Sequence, residues 1–193
     1  IGGGSVCTTS VQTGIHASLV WMIEEINKIK RSMPVSTCFP QVIADGGINT
    51  IDRMIKCLAL GYDYVMAGKL FAKTKEACGE KRVKITTSKS DVLYLYEIDS
   101  TLEGDIKSIE HERLYYGMAS EMGQCAISNG KYKNPEGIET WVKLDSSLED
   151  LKKKFDAALR STMSYVNATN LYELRNRTQY APMSSSEFKS YYK

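Results

Sequence analysis

The chain has 193 residues, 42% of them hydrophobic and 25% charged, with a formal net charge of +2 at pH 7. This composition favours a globular protein of one domain with a substantial core. The small charge, without basic stretches interleaved with aromatics, argues against nucleic-acid binding. No apolar run is long enough to span a membrane. Five cysteines without a CxxC pair or a Cys/His cluster favour reduced thiols and a cytoplasmic protein.

The chain opens on a cysteine surrounded by small residues, GGGSVCTT at 2–9. Glycines let the backbone approach a ligand closely, and the neighbouring hydroxyls can orient a substrate or pass a proton. A thiol in this setting is a candidate nucleophile, because it needs an accessible site that stabilises the thiolate. The competing interpretation is a flexible glycine-rich terminus in which Cys7 is incidental.

The next segment alternates helices with short strands. The apolar spacing predicts helices over 16–31 and 50–60, and buried strands over 41–44 and 62–66. A glycine-bearing turn follows each strand, Asp45-Gly46-Gly47 after the first and Ala67-Gly68-Lys69 after the second. This rhythm is typical of an α/β fold in which helices cover a parallel sheet.

From residue 81 the rhythm breaks, and we interpret 81–112 as an insertion, or finger, within the domain. Residues 83–87 and 92–98 read as two strands of a β-hairpin. The polar segment 99–112 leaves two interpretations open, a surface helix or a mobile loop.

The remaining segments are shorter. A second glycine-bearing segment occupies 115–120, and the polar stretch 123–135 is typical of a mobile flap. Helices are predicted over 147–165, with a serine cap and acidic first turn, and over 170–177. Residues 184–193 read as a tail.

Several polar segments fall where a strand gives way to its loop. In (β/α) barrels the active site is built from such loops. Asp45 could accept both hydroxyls of a ribose there, while the amides of Gly46 and Gly47 meet a phosphate. The alternative is that Asp45 is a turn or helix-capping residue.

Six motifs, in this order and over nearly the whole chain, resemble the IMP dehydrogenase/GMP reductase family. They are GGGSVCTT (2–9), VIADGGI (42–48), GYDYVMAGKL (61–70), YYGMASEM (115–122), PEG (135–137) and LRSTMSYVNATNLYEL (159–174). The resemblance implies a (β/α)8 TIM barrel, of which 1–193 would be the C-terminal portion of one catalytic domain, with the N-terminal strands missing from this chain. It also implies a homotetramer that acts on a purine nucleoside monophosphate.

The resemblance implies roles for individual residues. Cys7 would attack C2 of the purine, and Thr9 with Glu136 would pass a proton to the leaving amine. The positions that match nucleotide contacts in the family are Ser5, Asp45, Gly46, Gly47, Gly68, Lys69, Tyr116, Gly117, Met118 and Gly137. The positions near the nicotinamide cofactor are Met118, Tyr132 and Lys133. The backbone carbonyls that match a monovalent-cation site, typically for potassium (K+), are those of Gly2, Gly4 and Cys7.

Three residues depart from the family pattern, and one of them, Gly3, replaces the usual Pro. Lys69 stands where the family usually has Ser or Gly beside the phosphate, so it either adds a cationic phosphate contact or points to solvent. Lys133 replaces the Arg that reductases place near the cofactor, which puts the affinity for NADPH in question.

The resemblance favours GMP reductase, which converts GMP to IMP and ammonia with NADPH. YGMASEM resembles the reductase pattern YGMSSEM, and the stretch 121–136 is short, as in reductases. Lys131-Tyr132-Lys133 also lacks the Arg-Tyr pair with which dehydrogenases activate water. The alternatives are an IMP dehydrogenase that oxidises IMP to XMP with NAD, a nucleotide-binding protein without activity, and an assembly protein that uses the insertion and the aromatic tail.

Overall fold

A computed structural model describes residues 7–34, 36–96, 105–130, 133–181 and 183–184. Its helices are α1 (Thr9–Thr13), α2 (Leu19–Ser32), α3 (Ile51–Leu60), α4 (Gly68–Ala72), α5 (Glu121–Ile127), α6 (Leu148–Tyr165) and α7 (Leu171–Arg177). Its strands are β1 (Ile43–Asp45), β2 (Tyr64–Met66), β3 (Lys81–Thr87), β4 (Val92–Leu95), β5 (Ile106–Tyr116) and β6 (Glu139–Lys143). Together they form an α/β fold, as the sequence predicts.

The first half contains the predicted parallel unit. Strands β1 and β2 pair in parallel, with Asp45 opposite Met66. Helix α2 begins at Leu19 rather than at the predicted residue 16, because the Ser18 side chain accepts a hydrogen bond from the Trp21 N–H at 3.1 Å and caps the helix there. The buried core under this unit consists of Ile23, Ala44, Ile48, Cys57, Tyr62 and Ala67.

The C-terminal helices pack against α3, and both were predicted. The side chains of Ser147 and Asn170 cap α6 and α7 by accepting N–H groups of the first turn. Arg175 of α7 then joins this layer to the parallel unit. Its Nη2 donates to the Tyr62 carbonyl at 2.7 Å, and its Nη1 lies 3.3 Å from Asp63 Oδ1.

A second, antiparallel sheet has the strand order β4-β3-β5-β6. It includes the predicted hairpin of β3 and β4. The expectation of a surface helix or mobile loop over 99–112 is wrong for 106–112, because β5 pairs there with β3. Residues 97–104 lie outside the described part of the chain.

The polar character of β5 has a structural cause. One of its faces carries cross-strand ion pairs, with Glu112 bound to Arg82 at 2.7 Å and Glu110 bound to Lys143 and, at 3.6 Å, to Lys84. A strand of this kind shows no apolar alternation, so its sequence does not resemble a half-buried strand.

The predicted flap at 123–135 begins inside helix α5. This helix forms because Ser120, which is fully buried, accepts the Gly123 N–H at 3.1 Å as its N-cap. Strand β6, which follows the flap, was not predicted.

One face of the parallel pair is not covered by the described residues. The side chains of Ile43, Tyr64 and Met66 point to this face and are 52%, 52% and 53% exposed. None of the described helices is both long and apolar enough to cross a membrane.

Candidate active site

Cys7, Thr9 and Glu136 form a row of hydrogen bonds. The Cys7 thiol donates to Thr9 Oγ1 at 3.2 Å, and the Thr9 hydroxyl donates to Glu136 Oε2 at 2.6 Å. Both hydrogen bonds are partly buried, and Glu136 is 127 positions away from Thr9 in sequence. A hydroxyl between a thiol and a carboxylate can accept a proton on one side and donate one on the other, so the row is suited to proton transfer beside a nucleophile.

Backbone contacts hold the two segments of this row together. Cys7 forms an antiparallel bridge with Gly137, and the Thr8 N–H donates to the Glu136 carbonyl at 2.8 Å. On the other side, the Glu136 N–H donates to the Ala119 carbonyl at 3.0 Å. The segment carrying Glu136 therefore lies between the cysteine loop and the turn at 117–120.

Gly137 is required by this close approach. A Cβ atom at this position would lie 2.9 Å from the Ser120 nitrogen and 3.2 Å from the Ala119 carbonyl carbon, both backbone atoms. Any side chain would push Glu136 away from Thr9. The contacts of Gly137 in this structure are thus with the protein itself.

A second group of predicted residues lines one small pocket at the carboxyl ends of β1 and β2. Its lining residues are Asp45, Gly46, Gly47, Ile48, Asn49, Met66, Gly68, Lys69 and Tyr115. Gly46 and Gly47 have φ angles of +109° and +70°, which only glycine adopts readily. Lys69 is half-buried, and no carboxylate in the described part of the chain forms an ion pair with it.

The tyrosine that lines this pocket is Tyr115, whereas the sequence resemblance selected Tyr116. Successive residues of a strand point to opposite faces, and β5 continues through Tyr116, which pairs with Glu139 and is 37% exposed. The structure therefore does not bring Tyr116 to the pocket. Strand alternation, counted back from the glycine turn, is the signal that could have found Tyr115.

The segment 115–120 connects the pocket to the hydrogen-bonded row. Tyr115 lines the pocket, and Ala119, four residues later, accepts the Glu136 N–H. Between them, the Gly117 carbonyl accepts the Ser120 N–H at 3.0 Å, and Met118 is 65% exposed. The segment 115–120 therefore contributes both to the pocket and to the support of the row.

Other predicted residues are less constrained. Lys133 is exposed, and its N–H donates to Gln124 Oε1 at 2.9 Å. Gly2, Gly4, Ser5 and Tyr132 lie outside the described residues, so Cys7 is the one member of the predicted cation-binding set that the structure describes. In that same part of the chain, no cluster of three or more His, Cys, Asp or Glu side chains is arranged to hold a metal ion.

The remaining cysteines have different surroundings. Cys38 and Cys78 are exposed and Cys125 is half-buried. Cys57 is buried in the core, and burial raises the pKa of its thiol. A raised pKa disfavours the thiolate, so Cys57 is a packing residue rather than a nucleophile.

Comparison with known proteins identifies the family. The model described as "IMP dehydrogenase / GMP reductase domain" matches residues 1–190. The chain belongs to the IMP dehydrogenase/GMP reductase family. Members of this family are oxidoreductases of purine nucleotide metabolism that use NAD(P), and the resemblance found in the sequence motifs is confirmed.

Curated relatives in this family are named inosine-5'-monophosphate dehydrogenase. The protein from Cryptosporidium parvum is 29% identical over 96% of this chain and 42% of its own length. That from Streptococcus pyogenes is 30% identical over 96% of this chain and 34% of its own length. The protein from Borreliella burgdorferi is 29% identical, with 98% and 42% covered. The chain thus spans between 34% and 42% of the length of these relatives.

A solved structure from the other branch of the family has a similar fold. It is a GMP reductase variant from Trypanosoma brucei in complex with guanosine 5'-monophosphate, with a TM-score of 0.74 at 23% identity over 99% of this chain and 34% of that one. This likeness supports the α/β fold. Both branches of the family are therefore represented among similar proteins.

Proposed function

We propose that this chain carries the catalytic residues of a GMP reductase, which converts GMP to IMP and ammonia with NADPH through a covalent cysteine–purine intermediate. The observation that carries the proposal is the row Cys7–Thr9–Glu136, at 3.2 and 2.6 Å. A protein that only binds nucleotide needs neither a nucleophile nor a proton relay beside it.

Cys7, Thr9 and Glu136 each have a defined role in this reaction. The Cys7 sulfur forms a bond to C2 of the purine, and the thiol proton goes to a ring nitrogen. Glu136, through the Thr9 hydroxyl, supplies a proton to the C2 amine, and the C2–N bond breaks to release ammonia. When bound, NADPH would supply a hydride to C2. As the C2–S bond breaks, the added ring-nitrogen proton returns to the Cys7 sulfur, which regenerates the thiol and releases IMP, and Glu136 regains its proton from solvent.

We assign the ribose and the phosphate of the nucleotide to the pocket lined by the two glycine turns. Asp45 can accept the ribose hydroxyls, and the turn amides of Gly46, Gly47 and Gly68 can donate to the phosphate. Lys69 adds a positive charge and Tyr115 a phenolic hydroxyl at the same edge. Ser5 is assigned to the nucleotide by resemblance alone.

We assign the nicotinamide cofactor to exposed residues near the flap and the cation to the cysteine loop. Met118 and Lys133 are exposed and therefore accessible to a nicotinamide cofactor, and Tyr132 directly precedes Lys133 in sequence. The Cys7 carbonyl, with those of Gly2 and Gly4, would hold a potassium ion against the cysteine loop.

Support for the reductase branch comes from the flap and its base. Helix α5 starts directly after the turn, at Glu121 of the SEM motif. The flap sequence then continues with Lys131-Tyr132-Lys133. It lacks the Arg-Tyr pair with which the dehydrogenases of this family activate water. The curated relatives, named dehydrogenases at 29–30% identity, favour IMP dehydrogenase as the second candidate.

The architecture proposed for the full-length protein is a (β/α)8 barrel that assembles as a homotetramer. Strands β1 and β2 with their helices would be neighbouring units of the barrel wall, and the antiparallel sheet would be a finger that projects from it. The uncovered face formed by Ile43, Tyr64 and Met66 would be part of the barrel interior.

A spectrophotometric assay on the full-length protein in potassium buffer tests the function. We expect GMP to cause oxidation of NADPH, followed at the nicotinamide absorbance band, and IMP to cause no reduction of NAD. Reduction of NAD with IMP would instead establish the dehydrogenase. No change in either assay, with GMP binding retained in calorimetry, would indicate a nucleotide-binding protein without this activity.

A further inference from the structure

One side chain outside the catalytic row connects both of its segments. Gln12, in the last turn of α1, donates from Nε2 to Thr8 Oγ1 at 2.9 Å and to the Pro135 carbonyl at 2.8 Å. Its Oε1 accepts a hydrogen bond from Asn134 Nδ2 at 3.2 Å. The amide of Gln12 thus binds the cysteine loop on one side and the two residues before Glu136 on the other.

These contacts fall where the backbone offers little other support. Pro135 has no N–H group, so the peptide before Glu136 cannot donate a main-chain hydrogen bond from that residue. The Glu136 main chain is held at its own N–H and carbonyl, by Ala119 and Thr8. Gln12 binds the two residues that precede Glu136, Asn134 and Pro135.

We propose that Gln12 is a positioning residue that sets Glu136 against the Thr9 hydroxyl. The inference rests on the proposed function, because it concerns the efficiency of the proton transfer assigned to Glu136. Proton transfer needs its donor and acceptor at hydrogen-bond distance, and small displacements of a catalytic group lower rates strongly. Gln12 lies on the surface and touches none of the reacting atoms assigned here.

The amide group explains why the residue is glutamine. Its NH₂ donates to a hydroxyl and a carbonyl, while its oxygen accepts from Asn134, and the amide supplies both functions. A lysine at this position keeps the donor and loses the acceptor, whereas a glutamate keeps the acceptor and places a negative charge against the Pro135 carbonyl.

The first test compares kinetic constants in the full-length enzyme. We expect Gln12→Ala to lower kcat for GMP about tenfold while KM changes less than about twofold, because the lost contact affects proton transfer and not nucleotide binding. Gln12→Lys should recover most of kcat, and Gln12→Glu should not. Val11→Ala is the matched control, since Val11 is the neighbouring residue of α1 and is 86% exposed, and it should leave both constants unchanged.

A double-mutant cycle separates positioning from a general structural effect. If Gln12 acts through Glu136, Gln12→Ala should reduce kcat little further in the Glu136→Gln background, giving strong non-additivity. Full additivity, or a lowered melting temperature with kcat unchanged, would overturn the inference.

The same variants distinguish the two proposals. A Glu136→Gln enzyme with unimpaired turnover contradicts the function assigned to Glu136. An impaired Glu136→Gln enzyme together with a fully active Gln12→Ala enzyme contradicts the role of Gln12 alone.

Discussion

At the scale of single residues, the surroundings of Cys7 distinguish it from the other cysteines. Cys125 is also half-buried, but only the Cys7 thiol is followed by a hydroxyl and a carboxylate in hydrogen-bond contact, among the cysteines in the described residues. Burial alone therefore does not distinguish the proposed nucleophile. Its identification depends on the partners that the fold brings from a distant segment.

Replacing Cys7 by alanine in the full-length enzyme should abolish turnover and leave the Kd for GMP within about tenfold, because the thiol serves the chemistry and not the affinity. Steady-state kinetics and calorimetry measure the two quantities. Cys125→Ala is the control and should remain active. Residual activity of Cys7→Ala above a few per cent of the original would rule out a covalent mechanism through this residue.

Lys69 provides the second prediction at this scale. If it contacts the nucleotide phosphate, Lys69→Ser should raise KM for GMP about tenfold with kcat unchanged, as expected when uniform binding is lost. The change should weaken at high ionic strength, because salt screens partly exposed charges. Lys73→Ser is the control, since Lys73 lies 3.9 Å from Asp145 and does not line the pocket. An unchanged KM would mean that Lys69 points to solvent.

The structure brings several of the residues selected from the sequence near one another, and the contacts that the sequence did not reveal have physical causes. The motifs around Cys7, Asp45, Gly68 and Glu136 could be recognised because each of them is a run of consecutive residues. Tyr115 was missed because two consecutive tyrosines are equivalent in sequence, and only strand alternation decides which one faces the pocket. The contacts of Gln12 were missed because they join residues 122 and 123 positions apart.

At the scale of elements, helices were predicted better than strands. Helices α2, α3, α6 and α7 have apolar stripes and terminal caps, which are local signals. Strand β5 was not recognised because one of its faces is held by charged side chains of β3 and β6, and such pairing is decided by residues far away in sequence. Strand β6 was missed for the same reason, since it exists only through its pairing with β5.

In this sheet, Arg82 combines an ion pair with two aromatic contacts. Its guanidinium donates from Nε and Nη2 to Glu112, both at 2.7 Å. It also lies 4.0 Å from the ring centre of Tyr94 and 4.1 Å from that of Trp141. A planar guanidinium can stack on both rings and keep its hydrogen bonds at the same time, which an ammonium group cannot do.

We therefore expect Arg82→Lys to lower the free energy of unfolding by about 1–2 kcal/mol, through loss of the stacking and of the second hydrogen bond. Hydrogen exchange of the β3 and β5 amides in the full-length protein measures the effect locally. The control is Lys84→Arg on the same strand, whose pair with Glu110 is longer and more exposed, and it should change protection little. Equal protection in both variants would show that the stacking contributes nothing.

At the scale of the whole molecule, the parallel pair presents an apolar face that a globular protein rarely leaves open. Ile43, Tyr64 and Met66 alternate along β1 and β2 with the buried Ala44 and the half-buried Val65, so both faces of this small sheet are apolar. Parallel strands that are apolar on both faces are typical of sheets covered on both sides. This chain spans 34–42% of the length of its relatives. In those relatives, the additional residues are numerous enough to form further strands of such a sheet.

If the barrel proposal is correct, Ile43→Thr should lower the free energy of unfolding more than the exposure of Ile43 in this structure suggests. Ile43 and Ile109 are 52% and 55% exposed here, so by exposure alone Ile43→Thr and Ile109→Thr should be equally mild. If Ile43 faces a closed barrel interior, Ile43→Thr should cost about 2 kcal/mol in urea unfolding of the full-length protein, because it removes apolar volume and buries a hydroxyl. Ile109→Thr, on the proposed finger, should stay within about 0.5 kcal/mol of the original. Equal and small losses at both positions would mean that no further strands cover this face, and the parallel pair would then be an open edge of the molecule and not part of a barrel.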